Sequence, residues 1–287
     1  MIPADFDYVA PTTLAEAVAA LGEAGEDAKI LAGGQSLIPV LRLRLSYPTT
    51  LVDLSRVAEL RGVTDEGDAI VIGAMTKHSD VIEDPLVQQH AALLSVATST
   101  VADPAVRHRG TFGGALAHAD PAGDLAAVAL ALDAELVAEG PGGRRTIPAS
   151  GFFLDYLETS LSPDEILAAV RIPKPTAGTW GVRYEKFNRV AQAWAIVGVA
   201  AAVRMDGGAI AEARIGLTNM GSTPVRPSAV ESALVGATDR AAVTAACATV
   251  ADGLTPPSDL GGQADYRAHL ARVLTARAVA HAAGMSR

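Results

Sequence analysis

The apolar positions of the chain follow two spacings, and each spacing predicts a different kind of element. Short runs rich in β-branched and other apolar residues predict strands at 6–9, 29–31, 50–53, 69–74, 134–139, 144–148, 151–156, 165–173, 180–186, 195–205 and 209–219. Apolar residues three and four positions apart predict helices at 14–21, 86–101, 125–132, 228–234, 240–252 and 265–283, with shorter helical segments at 54–60 and from about residue 79. Strands and helices in comparable numbers indicate a mixed α+β protein.

Local signals define the ends and faces of two helices. Thr13 and Glu16 have the spacing of a capping box, which opens a helix at residue 14, and Gly22 is expected to end it at residue 21. The segment 86–101 is predicted as one helix with a single apolar face. The residues expected on that buried face are Ala92, Leu93, Val96 and Ala97.

Turn-forming residues divide the chain into three parts. Residues 65–68 form a polar turn, and Pro173, Pro175 and Gly178 mark a linker. In the last part three strands, two of them joined by Asp-Gly-Gly at 206–208, predict a three-stranded antiparallel sheet followed by helices. We therefore predict a first subdomain at 1–65, a second at 66–176 and a C-terminal domain at 177–287.

Composition and charge exclude several classes of function. The 287 residues carry a net charge of -9 and no basic run with interleaved aromatic residues, which argues against nucleic acid as a partner. No apolar stretch is long enough to cross a bilayer, and the acidic start of the chain is unlike a signal peptide, so we expect a cytoplasmic protein. Cys247 is the only cysteine, and one thiol cannot form an internal disulfide or hold an iron–sulfur cluster. We expect it to be buried and inert.

A first glycine pair lies in the sequence Ala-Gly-Gly-Gln-Ser-Leu at 32–37, between a predicted strand and a helix-like segment. Glycines at 33 and 34 would allow backbone N–H groups to approach the oxygens of a phosphate or pyrophosphate. The sequence lacks the third glycine of a Rossmann fingerprint and the lysine of a P-loop, and Ser36 does not fit a nucleophile elbow. A tight turn without a ligand remains the alternative for this pair alone.

A second glycine pair lies in a long segment, 102–125, that is unusually rich in glycine, proline and charge. Such long irregular connections are usually functional. Thr-Phe-Gly-Gly-Ala at 111–115 repeats the pattern of the first pair, and Asp124 follows at the start of a helix, where its carboxylate can accept hydrogen bonds. Two glycine pairs separated by two strand–helix units favour one extended ligand that contacts both.

Together with Asp-Pro-Ala-Gly-Asp at 120–124, these two segments resemble the flavin loops of the FAD-binding subunits of molybdenum hydroxylases. The resemblance is nearest to the medium subunits of aerobic carbon monoxide dehydrogenases, with the flavin modules of xanthine dehydrogenases further away. It implies an FAD-binding domain of the vanillyl-alcohol-oxidase (PCMH) type in two subdomains, followed by a three-stranded antiparallel sheet with helices.

The resemblance also implies a set of cofactor-binding residues, and it assigns neither a catalytic residue nor a metal ligand. The FAD pyrophosphate would contact Ala32, Gly33, Gly34, Gln35, Ser36 and Leu37. The phosphate and ribityl region would contact Thr111, Phe112, Gly113, Gly114 and Ala115. Asp124 matches an acidic residue at the cofactor, Leu167 a position at the adenine end, and Lys186 and Trp194 positions near the flavin ring.

Some of these positions depart from the family or allow another reading. Ala115 stands where the family often has asparagine, so a side-chain hydrogen bond is lost there, and Trp194 stands where it has tyrosine. Trp194 could equally be a core anchor, and Lys186 a surface lysine. His118 is expected to be a structural histidine. We expect Arg107 and Arg109 either to offset phosphate charge or, for one of them, to face solvent.

The implied function is that of an oxidoreductase subunit that transfers electrons through FAD. A large partner would hold a molybdenum cofactor and a small partner two 2Fe-2S clusters, in a dimer of heterotrimers. Any association with the inner face of the membrane would be made through these partners. A quinone, a cytochrome or oxygen would be the external acceptor. A self-sufficient flavin oxidoreductase and a flavin-less scaffold subunit remain the alternatives.

Overall fold

A computed structural model describes residues 2–285; the predicted ranges 1–65 and 177–287 also include Met1, Ser286 and Arg287, which lie outside the described residues. The fold is α+β. Its strands are β1 Asp7–Val9, β2 Ala28–Leu31, β3 Thr50–Asp53, β4 Val63–Asp65, β5 Ala69–Gly73, β6 Glu135–Gly140, β7 Gly143–Pro148, β8 Phe153–Asp155, β9 Glu158–Thr159, β10 Ile166–Pro173, β11 Thr179–Phe187, β12 Val197–Asp206 and β13 Ala209–Thr218. Its α-helices are α1 Leu14–Ala24, α2 Leu37–Arg42, α3 His78–Glu83, α4 Pro85–His90, α5 Ala92–Ser99, α6 Pro104–Arg107, α7 Phe112–His118, α8 Asp124–Ala131, α9 Ser228–Leu234, α10 Arg240–Ala246 and α11 Ala264–Ala282.

A small parallel sheet in the order β1-β3-β2 begins the chain. The predicted capping box opens α1, with the Thr13 side chain accepting a hydrogen bond from the Glu16 N–H. The helix continues past Gly22 to Ala24 and ends at Gly25, whose φ of 76° suits glycine. The predicted end at Gly22 was wrong, because a single glycine inside a helix is tolerated when the flanking residues bury an apolar face.

The second sheet has five antiparallel strands in the order β4-β5-β10-β6-β7. Helices α5 and α8 pack together and share its core. Strand β4 lies within the predicted range 1–65 yet pairs with β5, so the chain enters the second sheet before the polar turn at 65–68. The three-part division of the chain remains a prediction.

The segment 86–101 is not one helix. Ala91 adopts φ -137° and ψ 44° between α4 and α5, which breaks the helix predicted there. The break rotates the face that follows: Leu93, Leu94 and Ala97 are buried, whereas Val96 is 37% exposed and Ala92 is partly exposed. The prediction that Ala92 and Val96 face the core was therefore wrong, because it assumed continuous helical spacing through Ala91.

The glycine- and proline-rich segment 102–125 also contains more regular structure than its composition predicts. Asp103 caps α6 by accepting a hydrogen bond from the Val106 N–H, and Thr111 caps α7 by accepting one from the Gly114 N–H. The second glycine pair is thus the first turn of a helix rather than a loop. Side-chain caps make these short helices possible despite the glycines.

The C-terminal part is a meander of β11, β12 and β13, which confirms the predicted three-stranded antiparallel sheet. The long helix α11 packs on β11 and β12, while α8 packs on β12 and β13. Gly216 permits the second contact, because a Cβ atom there would lie 2.0 Å from the Ala127 carbonyl oxygen. The predicted helix 240–252 is α10 followed by the 3-10 turn Cys247–Thr249.

Cys247 belongs to the apolar core of the C-terminal part of the chain. Cys247 is buried, as predicted, and burial raises the pKa of its thiol to about 12, so it stays protonated at neutral pH. Between residues 2 and 285, no helix combines the length and the apolar character needed to span a bilayer.

Candidate functional site

The first glycine segment, residues 32–37, lies against the second glycine segment, residues 111–115, and the two residues before it. A Cβ atom on Gly33 would lie 2.3 Å from the carbonyl oxygen of Arg109 and 2.7 Å from the Cα of Gly110. A Cβ atom on Gly114 would lie 3.2 Å from the Cβ of Ala32. The turn after β2 and the start of α7 therefore meet backbone to backbone and form one continuous wall.

These contacts give a packing reason for glycine at these positions. The space of the missing side chain is filled by protein at Gly33, and also at Gly113, where a Cβ atom would lie 2.4 Å from the Cβ of Ala74. At Gly114 the Thr111 hydroxyl would be 2.6 Å away. Glycine is required here because the protein's own segments pack closely, and the sequence pattern could not distinguish this from approach to a ligand.

Unpaired backbone donors are concentrated in the first segment. The N–H groups of Gly33, Gly34, Gln35 and Ser36 form no hydrogen bond with any atom of residues 2–285. Gly34 has φ 73°, so the turn uses the left-handed conformation that glycine favours. Successive free N–H groups in such a turn can bind an anion.

The backbone N–H groups of residues 112–115 in the second segment are already bonded to other protein atoms. The Phe112 N–H donates to the Thr76 carbonyl oxygen and the Gly113 N–H to that of Ala74, both at 2.9 Å. The Gly114 N–H donates to the Thr111 side chain at 3.2 Å. A phosphate would therefore find its free backbone donors at the first segment, not equally at both as the repeated pattern suggested.

A cleft of about 790 Å³ runs along both segments. Its volume lies within the usual range for small-molecule and cofactor sites. Of the predicted site residues, those that line it are Ala32, Gly33, Gly34, Gln35, Ser36, Leu37, Thr111, Gly113, Gly114, Ala115, Asp124, Leu167, Lys186 and Trp194. Phe112 is not among them, since its side chain is fully buried in the core.

The cleft wall includes apolar side chains and one exposed aromatic residue. Leu21, Leu161 and Ile166 line the cleft with Leu167. Trp194 is 52% exposed, which excludes its alternative role as a core anchor. A smaller cavity of about 430 Å³ also touches the first segment and is lined by Asp53 and Arg109, but the larger cleft includes both segments.

A buried ion pair lies in the wall of the cleft. Lys186 Nζ is 2.7 Å from Asp124 Oδ2, and the two side chains are 6% and 2% exposed. The Tyr184 hydroxyl donates to Asp124 Oδ1 at 2.6 Å, and Lys186 also donates to the Thr100 carbonyl oxygen at 3.2 Å. Lys186 is therefore not a surface lysine, and Asp124 accepts from two donors on one strand.

Burial and hydrogen bonding shift the pKa of Asp124 in opposite directions. Burial raises the pKa of Asp124 above its ordinary value, while the charge and hydrogen bond of Lys186 and the hydrogen bond of Tyr184 oppose the rise. Burial and the neighbouring carboxylate raise the pKa of Tyr184 well above its ordinary value, so it remains a neutral donor. Tyr184 and Lys186 lie two residues apart on β11, so they share a face, and this alternation was the signal that could have linked them.

His78 is a member of the cleft wall that no sequence signal indicated. Its side chain is buried and lines the cleft, and Nδ1 has no hydrogen-bond partner among residues 2–285. The ring packs on the second segment, because a Cβ atom on Gly110 would lie 2.8 Å from His78 Cδ2. Burial, aided by the charge of Arg107, lowers the pKa of His78 from 6.5 to about 4.

The two arginines near the second segment have different surroundings. Arg107 donates from Nη1 to the carbonyl oxygens of Val101 and Ala102, so it ties its own segment together. Arg109 is exposed at the smaller cavity. Within the described part of the chain, no three His, Cys, Asp or Glu side chains are grouped so as to hold a metal ion.

Comparison with known proteins identifies the family. Residues 4–175 match the FAD binding domain in molybdopterin dehydrogenase, and residues 182–282 match the CO dehydrogenase flavoprotein C-terminal domain. The chain belongs to the family of FAD-binding subunits of molybdopterin dehydrogenases. This flavin subunit is thus a component of an oxidoreductase and contains an FAD-binding domain, as the resemblance implied.

Individual relatives support the assignment over nearly the whole length. The carbon monoxide dehydrogenase medium chain of Hydrogenophaga pseudoflava is 44% identical over 280 residues, 97% of each chain. The 6-hydroxypseudooxynicotine dehydrogenase complex subunit alpha of Paenarthrobacter nicotinovorans is 38% identical over 98% of this chain and 96% of its own. A solved structure of carbon monoxide dehydrogenase from Hydrogenophaga pseudoflava, lacking the Mo-pyranopterin moiety of its cofactor, matches with a TM-score of 0.95 at 46% identity over 99% of both chains.

The residues of the cleft fit the chemistry of FAD. A dinucleotide carries two negative phosphates between two ring systems. Free N–H donors at Gly33–Ser36 suit the phosphates, and the apolar residues of the wall, Leu167 among them, suit a ring. The side chains of Lys186 and Asp124 compensate each other, so that part of the wall presents no net charge.

The buried His78 of this flavin subunit predicts a loss of stability in acid. The unfolded chain binds a proton at His78 below about pH 6.5, whereas the folded chain does so only near pH 4. Unfolding therefore takes up a proton in this window, so the free energy of unfolding falls as pH falls, by about 3 kcal/mol at its lower end. Chemical denaturation of the wild type and His78→Gln at pH 4 to 7 measures the difference in slope.

The matched control is His108→Gln, which replaces an exposed histidine. We expect it to keep the wild-type pH dependence, while His78→Gln shows a flatter one. Equal slopes for all three proteins would contradict the assignment of a neutral, buried His78.

Proposed function

We propose that this flavin subunit binds one FAD in the cleft, receives electrons from 2Fe-2S clusters on a small partner subunit and passes them to an external acceptor. A large partner would carry the molybdenum cofactor and oxidise the substrate. The three subunits would assemble as a dimer of heterotrimers. The run of four free N–H groups at Gly33–Ser36, on residues that line the cleft, is the observation that carries the FAD site.

In this proposal the protein binds and orients FAD and takes no chemical step of its own. When bound, FAD supplies the redox chemistry, because it can accept and release electrons. The first segment would hold the pyrophosphate through its N–H groups, with the Gln35 and Ser36 side chains beside it. Leu167 would contact the adenine end, and Lys186 and Trp194 the flavin ring. No acid or base is assigned, since electron transfer requires position and tuning of the cofactor.

The substrate of the complex would be set by the large partner. Two relatives of the flavin subunit belong to dehydrogenases with different substrates in their names. The relative from the carbon monoxide enzyme is 44% identical to this chain, and the relative from the 6-hydroxypseudooxynicotine enzyme is 38% identical. Carbon monoxide is the first substrate to test, because that relative has the higher identity of the two. The acceptor would be a quinone, a cytochrome or oxygen, and the complex would be cytoplasmic.

The proposed function is tested by purifying the chain with its co-expressed neighbours. We expect two partner chains, one FAD per flavin subunit and visible flavin bands that bleach when the complex receives its substrate. The isolated flavin subunit should not turn over substrate. Turnover by the isolated chain would support a self-sufficient flavin oxidoreductase instead, and a colourless chain that FAD cannot reconstitute would support a scaffold.

Gly33→Ala is predicted to weaken FAD binding. Its Cβ atom would lie 2.3 Å from the Arg109 carbonyl oxygen, so the two segments must separate and the free N–H groups must move. We expect at least about tenfold weaker binding, which corresponds to about 1.4 kcal/mol. Titration of the apoprotein with FAD, followed by flavin fluorescence, measures it.

Gly22→Ala is the control, because a Cβ atom there meets nothing within 4 Å. It should bind FAD as the wild type does, and thermal unfolding of both variants shows whether each is folded. Wild-type affinity in a folded Gly33→Ala protein would count against the first segment as the pyrophosphate site.

A further inference from the structure

The buried group around Asp124 connects the C-terminal sheet to the cleft. Tyr184 and Lys186 on β11 each donate to one oxygen of the Asp124 carboxylate, at 2.6 and 2.7 Å. Asp124 is the first residue of α8 and belongs to the FAD-binding domain. The C-terminal domain thus supplies both donors to a carboxylate that the FAD-binding domain supplies.

The three side chains have different access to the cleft. Asp124 and Lys186 line it, whereas Tyr184 does not and is 4% exposed. The position of the Tyr184 hydroxyl is tightly confined, because a Cβ atom on Gly198 would lie 2.4 Å from it. Tyr184 can therefore affect a ligand in the cleft only through Asp124 and Lys186.

The charge balance of this group depends on Tyr184. Among the described residues, the titratable groups that act on Asp124 are Lys186 and Tyr184. Lys186 also donates to the Thr100 carbonyl oxygen. The Tyr184 hydroxyl lies 3.5 Å from the Thr218 hydroxyl. A buried carboxylate that loses one of two donors becomes less stable relative to its protonated form. Protonation of Asp124 would leave the Lys186 ammonium without a counter-charge at the cleft.

We propose that Tyr184 is a positioning residue that holds Asp124 ionised, so that Lys186 presents a compensated charge to the flavin and the flavin midpoint potential is kept low. This inference rests on the proposed function, because it requires FAD in the cleft. An uncompensated cation beside the ring would favour the reduced flavin, which carries more negative charge than the oxidised form. Tyr184 would therefore tune the cofactor without touching it.

Tyr184→Phe tests this inference, because it removes the hydroxyl and keeps the ring. The measurement is a potentiometric titration of the FAD-loaded protein at pH 6 and pH 8, with dithionite as reductant and the visible flavin spectrum as readout. At pH 6 we expect the ratio of reduced to oxidised flavin at a given potential to be tenfold higher than in the wild type. This corresponds to a rise of about 30 mV in the midpoint potential of a two-electron couple. Because higher pH favours the ionised form of Asp124, the difference from the wild type should be smaller at pH 8 than at pH 6.

Two controls separate this role from a general loss of packing. Tyr8→Phe also removes a tyrosine–aspartate hydrogen bond, between Tyr8 and Asp53 in the first sheet, and should leave the potential unchanged. Asp124→Asn should raise the potential at both pH values, and adding Tyr184→Phe to it should have no further effect. Additive shifts in the double variant would overturn the proposed route through Asp124.

A second variant tests the same role if Tyr184→Phe does not fold. Gly198→Ala keeps Tyr184 but displaces its hydroxyl from Asp124, so it should shift the potential in the same direction. An unchanged potential in whichever variant folds and retains FAD would overturn the role of Tyr184, even if the melting temperature falls. A wild-type chain that binds no FAD would overturn the proposed function as well.

Discussion

The close approach of two backbone segments is the constraint on which the site depends. Gly33 lies against the Arg109–Gly110 peptide because neither side has a Cβ atom in the way. The contact joins the end of β2 to the start of α7, and with it the first sheet to the second. Because the backbone donors of α7 are used for its cap and for contacts with the β5–α3 connection, those of the first segment remain for a ligand.

The C-terminal sheet completes the cleft from the other side. Gly216 brings β13 onto the backbone of α8, and α8 begins with Asp124. Strand β11 then places Lys186 and Tyr184 on the two oxygens of that carboxylate. A buried ion pair of this kind adds little stability compared with apolar residues, so its position in the cleft wall favours a role toward the cofactor.

Much of this architecture follows from local sequence signals. The capping box at Thr13, the alternation and the Asp-Gly-Gly turn of the meander, and the strand, turn and helix around the first glycine pair all predicted elements that the structure contains. Long-range packing explains two of the failures. The pattern could not reveal that Ala74 fills the space beside Gly113 or that His78 lines the cleft, because each depends on contacts distant in sequence. The break at Ala91 has no glycine or proline to mark it in the segment 86–101.

The central claim is that the first segment supplies the free donors for the FAD pyrophosphate, while the second supplies a wall. Amide hydrogen exchange of the apoprotein with and without FAD tests this most directly, because free N–H groups become protected when they bind an oxygen. The account predicts strong new protection at Gly33–Ser36 and little change at Phe112–Ala115, whose N–H groups are already bonded. New protection at Phe112–Ala115 with none at Gly33–Ser36 would contradict it.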